Sequence, residues 1–122
     1  MARIMIVDDS PTDVQHLKSI LNKAGHLVSE VTAGADAITR AKAEKPEVII
    51  MDVVMPGVNG FQATRILSKD PETAHIPVIV VSAKDQETDR VWALRQGAKE
   101  YLIKPLMKEA DLLDKIKAVL TK

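Results

Sequence analysis

Cysteine is absent from the 122-residue chain, and Trp, Tyr and Phe occur once each. Without thiols, disulfides, thiolate metal sites and cysteine nucleophiles are excluded. Neither sign of charge is in excess, since 17 Lys and Arg balance 17 Asp and Glu. The basic footprint of a nucleic-acid binder is therefore missing, and no block of Lys or Arg supplies one locally. No apolar run approaches the roughly 20 residues needed to cross a bilayer. The start, Met1-Ala2-Arg3-Ile4, leads straight into a first strand without a signal-peptide pattern. Linkers, repeats and low-complexity segments are lacking too. The expectation is one stand-alone cytoplasmic domain over residues 1–122, monomeric, binding neither nucleic acid nor membrane, with a core that buries roughly two thirds of the unfolded surface.

What the chain does contain is four short apolar runs, each ending in a residue with chemistry. Ile4-Met5-Ile6-Val7 leads into Asp8-Asp9, and Val48-Ile49-Ile50-Met51 into Asp52. Val78-Ile79-Val80-Val81 leads into Ser82, and Tyr101-Leu102-Ile103 into Lys104-Pro105. Continuous β-branched runs of this length read as strands buried on both faces of a parallel sheet. Between them lie helical patterns. Ser10 caps the first, with Pro11 at the tolerated first position, Asp13 in capping-box register and Gly25 as the stop. Residues 26–32 read as a further strand. Residues 34–44, 61–69, 86–96 and 108–120 read as the remaining helices. Strand and helix thus alternate five times, which predicts an α/β fold with an open, doubly wound five-stranded sheet.

In such sheets ligands bind beyond the carboxyl ends of the strands. Asp8, Asp9, Asp52, Ser82 and Lys104 should therefore converge at one edge. Two like charges ~4 Å apart repel by about 4 kcal/mol at an effective dielectric of 20, so a carboxylate cluster needs a proton or a cation. Oxygen ligands alone favour a hard ion, Mg²⁺ or Mn²⁺, with coordination places left over for a phosphate. Lys104 adds a positive charge and Ser82 a hydroxyl. A carboxylate beside a divalent ion and a lysine is suited to forming an aspartyl phosphate. Taken singly, each residue has a plainer reading: a cap for Asp8-Asp9 and Ser82, a turn for Asp52, an exposed lysine for Lys104. The specificity lies in their arriving together, and Ser10-Pro11 already supplies the first cap.

These residues bring a family into view. Asp8-Asp9, Asp52-Val53-Val54-Met55-Pro56 with Gly60, Ser82-Ala83 and Lys104-Pro105 resemble the receiver domain of two-component response regulators, in its single-domain chemotaxis-type form. The resemblance covers essentially the whole chain and implies the flavodoxin-like strand order 2-1-3-4-5. It implies that Asp52 is the phospho-acceptor, taking a phosphoryl group from a histidine kinase. It implies Mg²⁺ held by Asp8, Asp9, Asp52 and the backbone carbonyl of Val54. Ser82 and Lys104 would sense the phosphate, Tyr101 would switch from an exposed to a buried rotamer, and the Lys104–Pro105 peptide would be cis. Within the family, Asn59 to Arg65, Lys84 to Asp89 and Val91-Trp92 are most similar to regulators of the type IV pilus, twitching-motility chemosensory system. A downstream motility or chemosensory protein is the implied partner. Val54 and Lys84 depart from the common pattern, and both flank the path of the hydrolytic water, so the phosphoryl lifetime does not carry over.

Trp92, on the fourth helix, is expected to be partly exposed, with Val91 and Leu94 facing inward. The family's output face is the fourth helix, fifth strand and fifth helix, which makes Trp92 and Tyr101 candidate partner contacts. His16, His26 and His75 lack ligand spacing, and Met51, Met55 and Met107 read as packing. Two rival readings stand beside the switch. A Mg²⁺-dependent phosphatase with an Asp nucleophile, of the haloacid-dehalogenase type, requires a D-x-D pair and an inserted cap, whereas the two acids here are adjacent and no insertion is present. A receiver acting as an unphosphorylated binding module is opposed by the intact acidic pocket.

Overall fold

The computed structural model describes residues 1–55 and 57–121. Five strands and five helices alternate: β1 (Arg3–Val7), α1 (Pro11–Lys23), β2 (Leu27–Val31), α2 (Gly34–Glu44), β3 (Val48–Met51), α3 (Gly60–Lys69), β4 (Val78–Ser82), α4 (Glu87–Arg95), β5 (Glu100–Ile103) and α5 (Glu109–Leu120). The strands form one parallel sheet in the order β2-β1-β3-β4-β5: the open five-stranded sheet expected from the alternation, in the flavodoxin-like order that the family resemblance implies. The Pro56 of the Asp52–Pro56 motif lies outside the described residues. Among the described residues, no helix is long and apolar enough to cross a membrane.

The pleat divides each apolar run between two faces. Ile4, Ile6, Val48, Ile50, Ile79 and Val81 pack against Val14, Leu17, Ile20 and Leu21 of α1 and Leu112 and Ile116 of α5. Met5, Val7, Ile49, Met51, Val78 and Val80 pack against Ala37 and Ala41 of α2, Ala63 and Leu67 of α3, and Ala93 of α4. Helices on both sides leave β1, β3 and β4 no polar face, which is why their sequences do not alternate. The fourth run is different. β5 is an edge strand and its four residues are half-buried, so Tyr101-Leu102-Ile103 is not covered on both faces as its composition suggests.

Two further expectations need correction. Val91 and Leu94 do not form the inward face of α4. They are 37% and 36% exposed and Trp92 49%, whereas Ala93 is fully buried. A helix turns about 100° per residue, so a face centred on Ala93 sets Leu94 to the side and turns Val91 almost away. The small Ala93 side chain makes the close contact, and the bulky neighbours splay towards solvent. The Lys104–Pro105 peptide is trans, for no cis bond occurs among the described residues. In trans, Lys104–Leu106 winds into a single 3₁₀ turn, and the Met107 N–H donates to the Lys104 carbonyl at 3.4 Å. X-Pro bonds prefer trans by about 0.5–1 kcal/mol, and this turn forms without giving that preference up.

Candidate functional site

The strand order reverses between β1 and β3, which lie side by side although β2 falls between them in sequence. That is the switch point where open α/β sheets leave a crevice. The hydrogen-bonded ladder runs one residue past each strand. Asp8 N–H donates to the Val31 carbonyl at 3.0 Å, and Asp52 N–H to the Val7 carbonyl at 2.9 Å. Both acids are thus set on rigid backbone. Asp8 is 1% and Asp52 6% exposed. Carboxylate oxygens of Asp8, Asp9 and Asp52 lie within 4.8 Å of one another, with Asp9 open to solvent. One oxygen of each buried acid is fixed locally: Asp8 Oδ1 accepts from Ser10 N–H at 2.9 Å and Asp52 Oδ1 from Val54 N–H at 3.3 Å.

Gly60 allows the close approach of α3 to this edge. Its N–H donates to the Val53 carbonyl at 3.2 Å. A Cβ there would overlap the Asp52 carbonyl oxygen and come within 2.5 Å of Val53 Cα. Only a residue without a side chain fits.

Lys104 enters from the turn after β5. Its Nζ donates to Asp13 Oδ2 at 2.7 Å, Asp8 Oδ2 at 2.9 Å and Asp52 Oδ2 at 3.2 Å. Burial acts to lower the lysine pKa, but hydrogen bonds to Asp13 and Asp8 and the field of Asp52 outweigh it and hold the ammonium well above its usual range. Burial also pushes the Asp8 carboxyl up, against the hydrogen bonds from Lys104 and Ser10, which pull it down. Asp13 moves the other way, lowered chiefly by its hydrogen bond from Lys104. Three carboxyl groups therefore meet one ammonium, Asp9 adds a fourth acid beside Asp8 and Asp52, and the site is short of positive charge. An all-oxygen donor set with one solvent-facing member suits a hard divalent cation that keeps some of its water. Asp8, Asp9 and Asp52 fit such an ion.

The other expected residues are placed less centrally. Ser82 is fully buried at the end of β4, and its Oγ accepts from Lys84 N–H at 3.2 Å. Tyr101 is half-buried, packs on the cluster around Met51 and Val80, and donates its hydroxyl to the Lys84 carbonyl at 2.9 Å. Burial pushes its phenol pKa up. The Val54 side chain is 53% exposed, and Trp92 stands on the outer side of α4. Pro105 takes part in the 3₁₀ turn that carries Lys104. Met51 and Met55 are core residues, as expected. His26 has a structural task, its Nδ1 accepting from Ala2 N–H at 3.0 Å.

Asp13 is the site residue that the sequence reading missed. Its position suggested the acidic member of a capping box, whose carboxylate turns back to the Ser10 N–H. That donor is taken by Asp8. The signal was present in retrospect, because a helix that starts at a strand end aims its first-turn acids at the same crevice.

The profile of the response regulator receiver domain matches residues 4–117. The protein PilH of Pseudomonas aeruginosa is 58% identical over 98% of this chain and 98% of its own length. The chemotaxis protein CheY of Thermotoga maritima is 38% identical over 84% of this chain and 85% of its own. Among solved structures, the receiver domain of a sensor histidine kinase from P. aeruginosa, with a magnesium ion coordinated in its active site cleft, superposes with a TM-score of 0.91 at 27% identity, covering 99% of this chain and 98% of that one.

Proposed function

The chain belongs to the response regulator receiver domain family, and on that premise we propose that it is a phosphorylation-dependent switch with Asp52 as the phospho-acceptor. The observation that carries the reading is the meeting of Asp8, Asp9 and Asp52 at the switch point, with Lys104 bridging Asp8 and Asp52 from the other side. A carboxylate oxygen of Asp52 attacks the phosphorus of a phosphohistidine on a histidine kinase. The new O–P bond forms as the P–N bond breaks, and the imidazole leaves with the electron pair. Lys104 follows the developing charge onto the phosphoryl oxygens, and the Ser82 hydroxyl turns to donate to one of them. Asp8, Asp9 and Asp52, with the Val54 carbonyl, would hold Mg²⁺ or Mn²⁺, which when bound would neutralise charge that the carboxylates alone would repel.

The readout is a changed surface over α4, β5 and α5. Ser82 and Tyr101 both bond to the Lys84 backbone, so movement of Ser82 towards a phosphoryl group releases one anchor of the segment that holds the tyrosine. Trp92 and Tyr101 then present a different face to a protein partner. The likeness to PilH across both chains supports a setting in type IV pilus, twitching-motility chemosensory signalling. There the protein works in the cytoplasm, either on a motility protein or as a phosphate sink for a shared kinase.

The test is incubation with a small acyl phosphate, with and without Mg²⁺, followed by intact mass and Trp92 fluorescence. A stoichiometric, Mg²⁺-dependent adduct that is lost in Asp52→Asn is the expected result. Repeated turnover of unrelated phosphate esters would instead identify a phosphatase. No adduct where a control receiver is labelled would leave a binding module.

A further inference from the structure

We infer that Asp13 is a positioning residue: it parks Lys104 on the α1 side of the site and competes with the phosphoryl group for it. The inference rests on the reading of Asp52 as the phospho-acceptor. An ammonium has three N–H donors, and Lys104 directs them at Asp13, Asp8 and Asp52. The contact with Asp13, at 2.7 Å, is the shortest of the three. Lys104 is thus saturated before any phosphate arrives, and a phosphoryl oxygen must displace an existing acceptor.

The three acceptors do not yield equally. Phosphoryl oxygens lie beyond the Asp52 carboxylate by the length of the new bonds, so reaching them moves the ammonium outward. The side chain of Asp8 is 1% exposed, and leaving a buried carboxylate without its partner is costly. The Asp13 side chain is 41% exposed, so water can replace the lysine there at little cost. Beside them a cavity of about 60 Å³, lined by Asp13, His16, Leu17, Val81, Lys104 and Met107, gives the lysine stem room to shift.

The Asp13 carboxylate is held chiefly by Lys104, with a smaller contribution from the Ser10 hydroxyl at the helix start. The Asp13 N–H still bonds to Ser10 Oγ at 3.4 Å, so the first turn of α1 is pinned. The return bond of the capping box is replaced by Asp8 on the Ser10 N–H. Asp13 therefore reads the position of Lys104, and its removal frees the lysine for the phosphoryl group.

The experiment titrates the full chain, in Mg²⁺, with beryllofluoride as the phosphoryl stand-in, followed by ¹⁹F NMR. Asp13→Asn should bind about two- to fivefold tighter, the scale of a partly exposed charge pair. Asp13→Glu should return the affinity towards wild type, and Asp13→Ser carries the same test should Asp13→Asn fold poorly. In a Lys104→Met background the Asp13→Asn gain should vanish, as a double-mutant cycle requires of a residue acting through lysine. An unchanged or weaker affinity in Asp13→Asn overturns the inference. So does an equal gain without Lys104, which would mean that lost negative charge alone is felt. A wild-type protein that takes up no beryllofluoride and no label on Asp52 overturns the phospho-acceptor reading itself.

Discussion

Asp8 and Lys104 stand 96 residues apart in sequence and 2.9 Å apart in space, and the pair is what allows a carboxylate only 1% exposed to sit in the core edge beside Asp52. Asp8 accepts from Ser10 with one oxygen and from Lys104 with the other. The ammonium is shared, so its loss is felt by three acids at once.

Lys104→Met should accordingly destabilise the metal-free protein by on the order of 3 kcal/mol, the usual consequence of stripping one partner from a buried pair. Urea unfolding should show a lower midpoint at unchanged slope. Saturating Mg²⁺ should narrow the gap to wild type, because a divalent ion answers the same carboxylates. An equal gap with and without Mg²⁺ would show that the lysine stabilises through its aliphatic stem and not through its charge.

The fold was legible because β1, β3 and β4 carry unbroken apolar runs, and a run of that kind has few places to go in a short α/β chain. Asp8, Asp52 and Lys104 were legible for the same reason, since each terminates a strand. Asp13 was not, because an acid in the first turn of a helix has a sufficient local explanation and its true partner is 91 residues distant. Hydrophobicity also misled on α4. Val91 and Leu94 are more apolar than Ala93, but helix rotation sets which side chain meets the sheet, and a small residue permits the closer contact. The trans Lys104–Pro105 bond belongs to a turn whose geometry no residue type dictates.

Gly60→Ala should cost about 1–3 kcal/mol through overpacking. The atoms in its way are the Asp52 carbonyl and Val53 Cα, so phosphoryl labelling at Asp52 should slow as well. Gly25→Ala is the control. Gly25 has φ +86° with open space around the missing Cβ, so it should lose about 1 kcal/mol to backbone strain while labelling as wild type does. Equal labelling in both variants would deny Gly60 any part in setting Asp52.

His26 gives a pH dependence away from the acidic site. Its Nδ1 accepts from Ala2 N–H, and burial, then the charge of the amino terminus, lowers its pKa below the usual 6.5. Between that lowered value and 6.5 the unfolded chain binds the proton more readily than the folded one. Stability is therefore greatest above the ordinary histidine pKa and falls as pH drops through that window. His26→Asn, whose Oδ1 can accept the same bond, should flatten this segment of a urea-midpoint profile. An unaltered slope in the variant would assign it to another group.

Asp9 separates metal binding from folding. Unlike Asp8 and Asp52 it is exposed, so Asp9→Asn leaves no buried group without a partner and relieves repulsion within the cluster. In the presence of a chelator its unfolding free energy should match or exceed wild type. Added Mg²⁺ should stabilise the wild-type protein by about 2.7 kcal/mol at one hundred times its dissociation constant, because the ion binds only the assembled site. Asp9→Asn should lose most of that response, with chelation returning both proteins to their starting midpoints. A thermal or urea titration in which Asp9→Asn responds to Mg²⁺ as wild type does would remove Asp9 from the donor set and leave Asp8 and Asp52 to hold the ion alone.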